Sequence, residues 1–197
     1  MKKQLRISVR DLVEFLERSG DLDSRSGRGG DAKIMQAGSR LHRKIQGRMG
    51  SGYHAEVPLK YRKEWERFSL LIEGRADGIW TEEAFTTIDE IKGTFREVDR
   101  MTEPMRVHLA QARCYAYIYS EQNQLDKAGV RMVYANLETE DVRYFTENWE
   151  WPVLKAWFDD LMERYYRWLS FQADWKEQRE ASLKKLVFPY EYREGQR

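Results

Sequence analysis

The sequence predicts an α/β protein: a central, largely antiparallel sheet flanked by helices, with a long aromatic-rich helix at the C-terminal end. Three observations lead there. Apolar side chains return every three or four positions near the start and again through the last third, the spacing of one helix face. Between those regions several runs alternate apolar and polar residues, the period of strands with one buried face. Finally, residues 70–92 (LLIEGRADGIWTEEAFTTIDEIK) read as two apolar runs around a polar turn, a hairpin.

In chain order, Ser8 caps a first helix whose stripe is Val9, Leu12, Val13, Phe15 and Leu16 and which ends near Gly20. Residues 21–31 (DLDSRSGRGGD) read as a loop, because Gly, Ser and Asp favour turns over regular elements. A second helix over 32–48 carries Gly38 and His42 on one face, four positions apart. Residues 53–61 form a strand with Ala55, Val57 and Leu59 on one side and His54 and Glu56 on the other. Strands at 65–77 and 84–92 complete an antiparallel meander. A helix over about 102–122 follows, with Pro104 in its first turn, where proline is tolerated. Residues 130–137 give a fourth strand and 142–145 a short fifth. Over 151–186, Leu154, Trp157, Phe158, Leu161, Tyr165, Trp168 and Leu169 mark one or two long amphipathic helices. Their rings are expected to pack the helix onto the sheet rather than to stack on bases.

Composition narrows the function. The chain has 197 residues, 41% hydrophobic and 34% charged, enough for one substantial core under a charged surface. A net charge of +1 excludes a uniformly basic nucleic-acid binder, yet residues 1–50 hold 12 Lys and Arg against 6 Asp and Glu. Such a basic lobe can attract phosphate. A single cysteine, Cys114, excludes an internal disulfide and makes the cytoplasm the default setting. No apolar run approaches the roughly 18 residues of a membrane span, and the first residues lack a signal-peptide core.

The hairpin concentrates ionisable groups. Period-two geometry puts Glu90 and Lys92 on one face of their strand and Asp89 and Ile91 on the other, with Asp77 across the hairpin at one end of the sheet. Two carboxylates and an ammonium so placed can hold a hard divalent cation beside a water. An ordinary surface ion pair is the plainer reading of the same residues.

The order of residues along the chain adds weight to the first reading. Gly38-x3-His42 on a helix, Gly74-x2-Asp77 and Glu90-x-Lys92 on strands, and Gln111-x3-Tyr115 on a helix together resemble the RecB-like branch of the PD-(D/E)XK nuclease superfamily, over about residues 38–115. The resemblance implies a restriction-endonuclease-like fold with a mixed central sheet. It implies Asp77, Glu90 and Lys92 as catalytic residues, and His42, Asp77, Glu90 and the backbone carbonyl of Ile91 as metal ligands. Lys92 would orient the attacking water or offset charge at the scissile phosphate, and Gln111 and Tyr115 would line the DNA path. The implied cofactor is Mg²⁺ or Mn²⁺, the imidazole favouring Mn²⁺, and the implied partner is single-stranded or branched DNA. Two departures matter. Ala76 stands where the superfamily's name has proline, and Cys114 alone cannot build the iron–sulfur cluster of some relatives. Glu56 and Glu73 are candidate further ligands, or supports for the ligands, that the sequence does not rank and that as charged residues on half-exposed strands are more often solvated; His108 receives no role.

The last ten residues, FPYEYREGQR, resemble the entry to the helicase core of Rad3/XPD/DinG-related proteins. Residues 1–187 are therefore expected to be a nuclease domain and 188–197 a linker into a fused or associated helicase core. No GxxxxGK[ST] loop occurs, so ATPase chemistry is not expected of these residues. The expected function is metal-dependent hydrolysis of phosphodiester bonds in single-stranded or helicase-unwound DNA, in repair or recombination. The alternative is a non-cleaving nuclease-like DNA-binding module attached to a helicase.

Overall fold

The computed structural model describes residues 2–20, 32–82, 85–186, 190–191 and 193–195. Its elements run β1 (Lys3–Ser8), α1 (Val9–Glu17), α2 (Ala32–Gln46), β2 (Tyr53–Glu64), β3 (Phe68–Glu82), β4 (Phe85–Thr94), a 3-10 turn (Val98–Arg100), α3 (Arg106–Asn123), β5 (Lys127–Asn136), β6 (Val142–Glu150) and α4 (Trp151–Leu183). The predicted loop at 21–31, the first residue of the strand expected from Ala84, and half of the helicase-like stretch (188, 189, 192, 196 and 197) lie outside the described residues.

Six strands form one mixed sheet flanked by helices, the α/β arrangement expected. The meander is present: β2 pairs antiparallel with β3, and β3 with β4. Beyond it, β4 and β5 run parallel and β5 and β6 antiparallel. The strand β1, absent from the sequence prediction, pairs in parallel with the first half of β3. Its six residues offer only Leu5 and Ile7 as an apolar pattern. What holds it is a partner more than sixty residues away.

Ser8 ends β1 and begins α1, its hydroxyl accepting the Asp11 N–H at 3.0 Å as an N-cap should. Helix α3 starts at Arg106, so Pro104 lies before the helix and not in its first turn. The residue ahead of a proline is pushed toward extended backbone, which delays helix entry. The Met105 N–H then donates to the Tyr134 hydroxyl at 2.9 Å. Strands β5 and β6 are longer than predicted, and residues 142–145 are only the start of β6.

The chain divides into two units, Met1–Phe158 and Asp159–Arg197. In the first, α2 lays Leu41 and Ile45 on Ile91, Val133 and Ala135, while α3 carries a nearly continuous run of buried residues. The opening turns of α4 bury Leu154 and Phe158. Phe158 stacks on Tyr117 with ring centroids 3.8 Å apart, and Tyr61 meets both rings edge-on. In the second unit α4 continues as one helix to Leu183, with Leu161 and Leu169 buried. Trp168, predicted to pack, is 37% exposed and stacks on Phe171, itself 58% exposed. No described helix is long and apolar enough to cross a membrane.

Candidate metal centre

A strand has two hydrogen-bonding edges, and β3 has three partners. Strand β2 occupies one edge along residues 69–80. The other edge is shared: β1 pairs with residues 68–73 and β4 with residues 78–82. Between them, Gly74, Arg75, Ala76 and Asp77 face a split in the sheet. The predicted polar turn after Asp77 is thus strand, and Asp77 and Glu90 sit well inside their strands, not at the sheet's end. Ile79 and Ile88, paired and buried, zip the hairpin beyond them.

Asp77 is unpaired in both ladders. The β3–β4 pairing stops at Gly78 and Asp89, and the Asp77 carboxylate takes over, its Oδ2 accepting the Ile91 N–H at 2.7 Å. On the other edge Ala55 pairs with Gly78 and Val57 with Ala76, but the Glu56–Asp77 rung is missing. Glu56 has φ +56°, a left-handed conformation rare for a residue with a Cβ. The Asp77 carbonyl instead accepts the Gln46 side-chain amide at 2.8 Å, and the same amide reaches Glu56 Oε1 at 3.1 Å. The remaining carboxylate oxygen of Asp77 lies 3.7 Å from His42 Nδ1. Burial raises the Asp77 acid above the usual carboxylate range, while His42, the Ile91 N–H and Lys92 act the other way.

On the α3 face, Glu90 is 1% exposed. Lys92 Nζ sits 2.6 Å from its Oε1. Oε2 is buried with no hydrogen-bond partner among the described residues. Burial pushes the acid up to about 8 against the pull of Lys92, and the nearby Asp77 charge adds to the rise. Lys92 also reaches Gln111 Oε1 at 3.5 Å, and Gln111 reaches the Tyr115 hydroxyl at 3.5 Å. Gly74 explains itself here, since a Cβ on it would lie 2.6 Å from that hydroxyl.

On the α2 face, ligand atoms of His42, Glu56 and Asp77 lie within 4.8 Å of one another. Glu90 stands outside that group. The residues that the resemblance names as catalytic, metal-binding or DNA-facing therefore fall into two groups, His42 with Asp77 on the α2 face and Glu90, Lys92, Gln111 and Tyr115 on the α3 face, linked by the hydrogen bond from the Ile91 N–H to Asp77. Two further members join the α2-face group: Glu56, one of the two unranked candidates of the sequence, and Gln46, to which the sequence gives no role. Gln46 lies four positions after His42, hence on the same helical face, which is a signal the sequence carries. For Glu56 nothing local announces its left-handed backbone.

The donor set fits a hard divalent cation. It offers an imidazole, carboxylates and a buried oxygen left without a partner, the mix that suits Mg²⁺ or Mn²⁺. Other candidates fall away from it. Glu73 pairs with Arg6 across β1 and β3. His108 is held against Tyr134, Nδ1 to hydroxyl 3.0 Å, and burial pushes it down to about 4, so it is neutral. A cleft of about 1230 Å³ lined by Arg18, Arg96, Arg106 and His108 contains neither Asp77 nor Glu90 and mixes its arginines with glutamates. The chemistry stays with the split strand.

No protein-family model matches the chain, and no curated protein matches it by sequence. Solved structures do match. The fold is similar to the crystal structure of SSO0001, with a TM-score of 0.53 and 18% identity over 83% of this chain and 77% of that one. It is similar also to an alkaline exonuclease (LHK-Exo) from Laribacter hongkongensis, with a TM-score of 0.51 and 16% identity over 90% of this chain and 94% of that one. The same enzyme in complex with dAMP matches at 0.51 and 15% identity, with the same coverage. At such identities the likeness establishes the restriction-endonuclease-like fold.

Proposed function

We propose that the chain is a divalent-metal-dependent nuclease of the PD-(D/E)XK superfamily, in its RecB-like branch, that hydrolyses phosphodiester bonds in DNA. The observation that carries the proposal is Glu90, a fully buried carboxylate with one oxygen on Lys92 and the other without a partner, beside the acidic Asp77. Burying two neighbouring carboxylates is costly unless a cation joins them. His42, Asp77, Glu90 and the Ile91 carbonyl would hold Mg²⁺ or Mn²⁺. When bound, the ion supplies charge neutralisation at the phosphate and an activated water.

The chain's own residues do the rest. Glu90 fixes the Lys92 ammonium, which faces the charge that develops on the phosphate oxygens and is worth most in a site shielded from water. Gln111 holds Lys92 from the other side, and with Tyr115 it offers donors to the DNA backbone. The fold shared with an alkaline exonuclease crystallised with dAMP supports the same class of chemistry. The finer part of the proposal, a single-stranded or unwound substrate delivered in repair by a fused or associated helicase core, rests on the terminal FPYEYREGQR stretch.

The test is cleavage of labelled single-stranded, duplex and flapped DNA with Mg²⁺ or Mn²⁺. Asp77→Ala, Glu90→Ala and Lys92→Ala are each expected to lose roughly 10²-fold or more in rate. Wild-type cleavage by any of the three removes that residue from the site. DNA binding that needs no metal, with no cut under any condition, would favour the non-cleaving module.

A further inference from the structure

We infer that Glu56 is a further ligand of the divalent cation, on the His42 side of Asp77, and that Arg75 holds the Glu56 carboxylate until the cation arrives. The inference rests on the metal-dependent reading above and adds a residue to it.

Three carboxylates surround the split, and the cationic side chains are unevenly shared among them. Glu90 has Lys92 at 2.6 Å. Glu56 has Arg75, Nε to Oε2 2.6 Å. Asp77 has only the Ile91 N–H and the His42 ring at 3.7 Å. Asp77 is thus the least compensated of the three among the described residues, and the buried, unpartnered Oε2 of Glu90 marks the same deficit from the other face. Ligand atoms of His42, Glu56 and Asp77 already lie within 4.8 Å of one another. Divalent first-row metal–ligand bonds of about 2.0–2.2 Å place neighbouring ligands some 3–4 Å apart, so a small inward movement closes the set.

Glu56 is the member free to make that movement. Its side chain is 40% exposed and that of its partner Arg75 is 67% exposed, so the pair is a solvated one that exchanges at little cost. The other oxygen of the Glu56 carboxylate stays anchored and can serve as the pivot. The missing rung between Glu56 and Asp77 is bridged by Gln46 from α2, which grips Glu56 Oε1 and the Asp77 carbonyl with one amide and keeps the two residues adjacent. A surface ion pair would need neither.

Mn²⁺ uptake by the metal-free chain, without DNA, tests this by titration calorimetry and by the Mn²⁺ electron paramagnetic resonance signal. Glu56→Gln is expected to weaken Mn²⁺ about 10- to 100-fold. Arg75→Ala is expected to strengthen it about 2- to 5-fold by removing the competitor, and that gain is expected to vanish in the double variant. Glu56→Gly, which removes the carboxylate and relaxes the left-handed backbone, is expected to bind as weakly as Glu56→Gln while melting higher than wild type, so weak binding is not mistaken for misfolding. Wild-type affinity in Glu56→Gln, or an Arg75→Ala gain that persists without Glu56, overturns the role of Glu56 alone, provided Asp77→Asn still abolishes binding. A wild-type chain that takes up no Mn²⁺ overturns both this inference and the metal-dependent reading beneath it.

Discussion

Asp89 and Glu90 are adjacent carboxylates on β4, both essentially without solvent exposure, yet the pleat sends them to opposite faces and opposite fates. Asp89 meets Arg131 with both oxygens, at 2.8 and 2.7 Å, and Arg131 in turn lies over the Trp80 ring at 5.2 Å. Burial raises the Asp89 acid and the Arg131 bonds draw it back. Glu90 has one oxygen on Lys92 and one without a partner. The same chemical group, equally buried, is finished on one face and unfinished on the other. A satisfied buried ion pair holds a structure together, whereas an unsatisfied one persists where something else completes it.

The two carboxylates are expected to differ most in their response to pH. The Glu90 acid is pushed up to about 8 in the fold against 4.5 for a free side chain, so its contribution to stability is complete below pH 4.5 and lost as pH rises through 8. In metal-free protein that amounts to roughly 5 kcal/mol across the window. Denaturant titrations at about pH 5 and about pH 9 are expected to show this loss in wild type and its absence in Glu90→Gln. Parallel curves for the two proteins would mean that Glu90 is not held as an unsatisfied group.

Asp89→Ala comes next. It leaves the Arg131 guanidinium buried and unpaired, and a loss of about 3–5 kcal/mol is expected with no pH window of the Glu90 kind. Replacing both partners, Asp89→Leu with Arg131→Met, is expected to restore most of that loss. If the double change is as damaging as the single one, the pair does more than fill the face.

Two motif glycines extend the contrast at smaller scale. Gly74→Ala drives a methyl into the Tyr115 ring, and about 1–3 kcal/mol of overpacking is expected, together with slower cleavage at unchanged Mn²⁺ affinity. A Cβ added at Gly38 would meet nothing within 4 Å, so Gly38→Ala is expected to leave the fold intact or stabilise it by about 0.5–1 kcal/mol through helix propensity. A DNA affinity that falls in a fully folded Gly38→Ala would assign that glycine to the substrate path.

How legible the site was follows from what each residue depends on. Glu90 beside Lys92, and Asp89 turned away with Ile91, were readable because alternation along a strand needs no partner. Gln111 and Tyr115 were readable because four positions along a helix bring side chains together. The sequence places Asp77 on the right strand but at its end, because the run Gly78, Ile79, Trp80 reads as the start of a turn until the hydrogen bonds to β4 extend it. The strand β1 is invisible in the sequence for the same reason, its pattern being too short to stand without β3.

Which residues of β4 and of α3 share a face was settled by the amino-acid sequence alone, because the periods of strand and helix come from backbone stereochemistry. That β1 and β4 divide a single edge of β3 and leave Asp77 in the gap was settled only in three dimensions. Competition for one row of hydrogen-bonding groups is resolved between segments far apart in the chain. Where neither strand wins, a carboxylate and a glutamine amide stand in for the missing ladder, and the cluster they gather is the candidate metal centre.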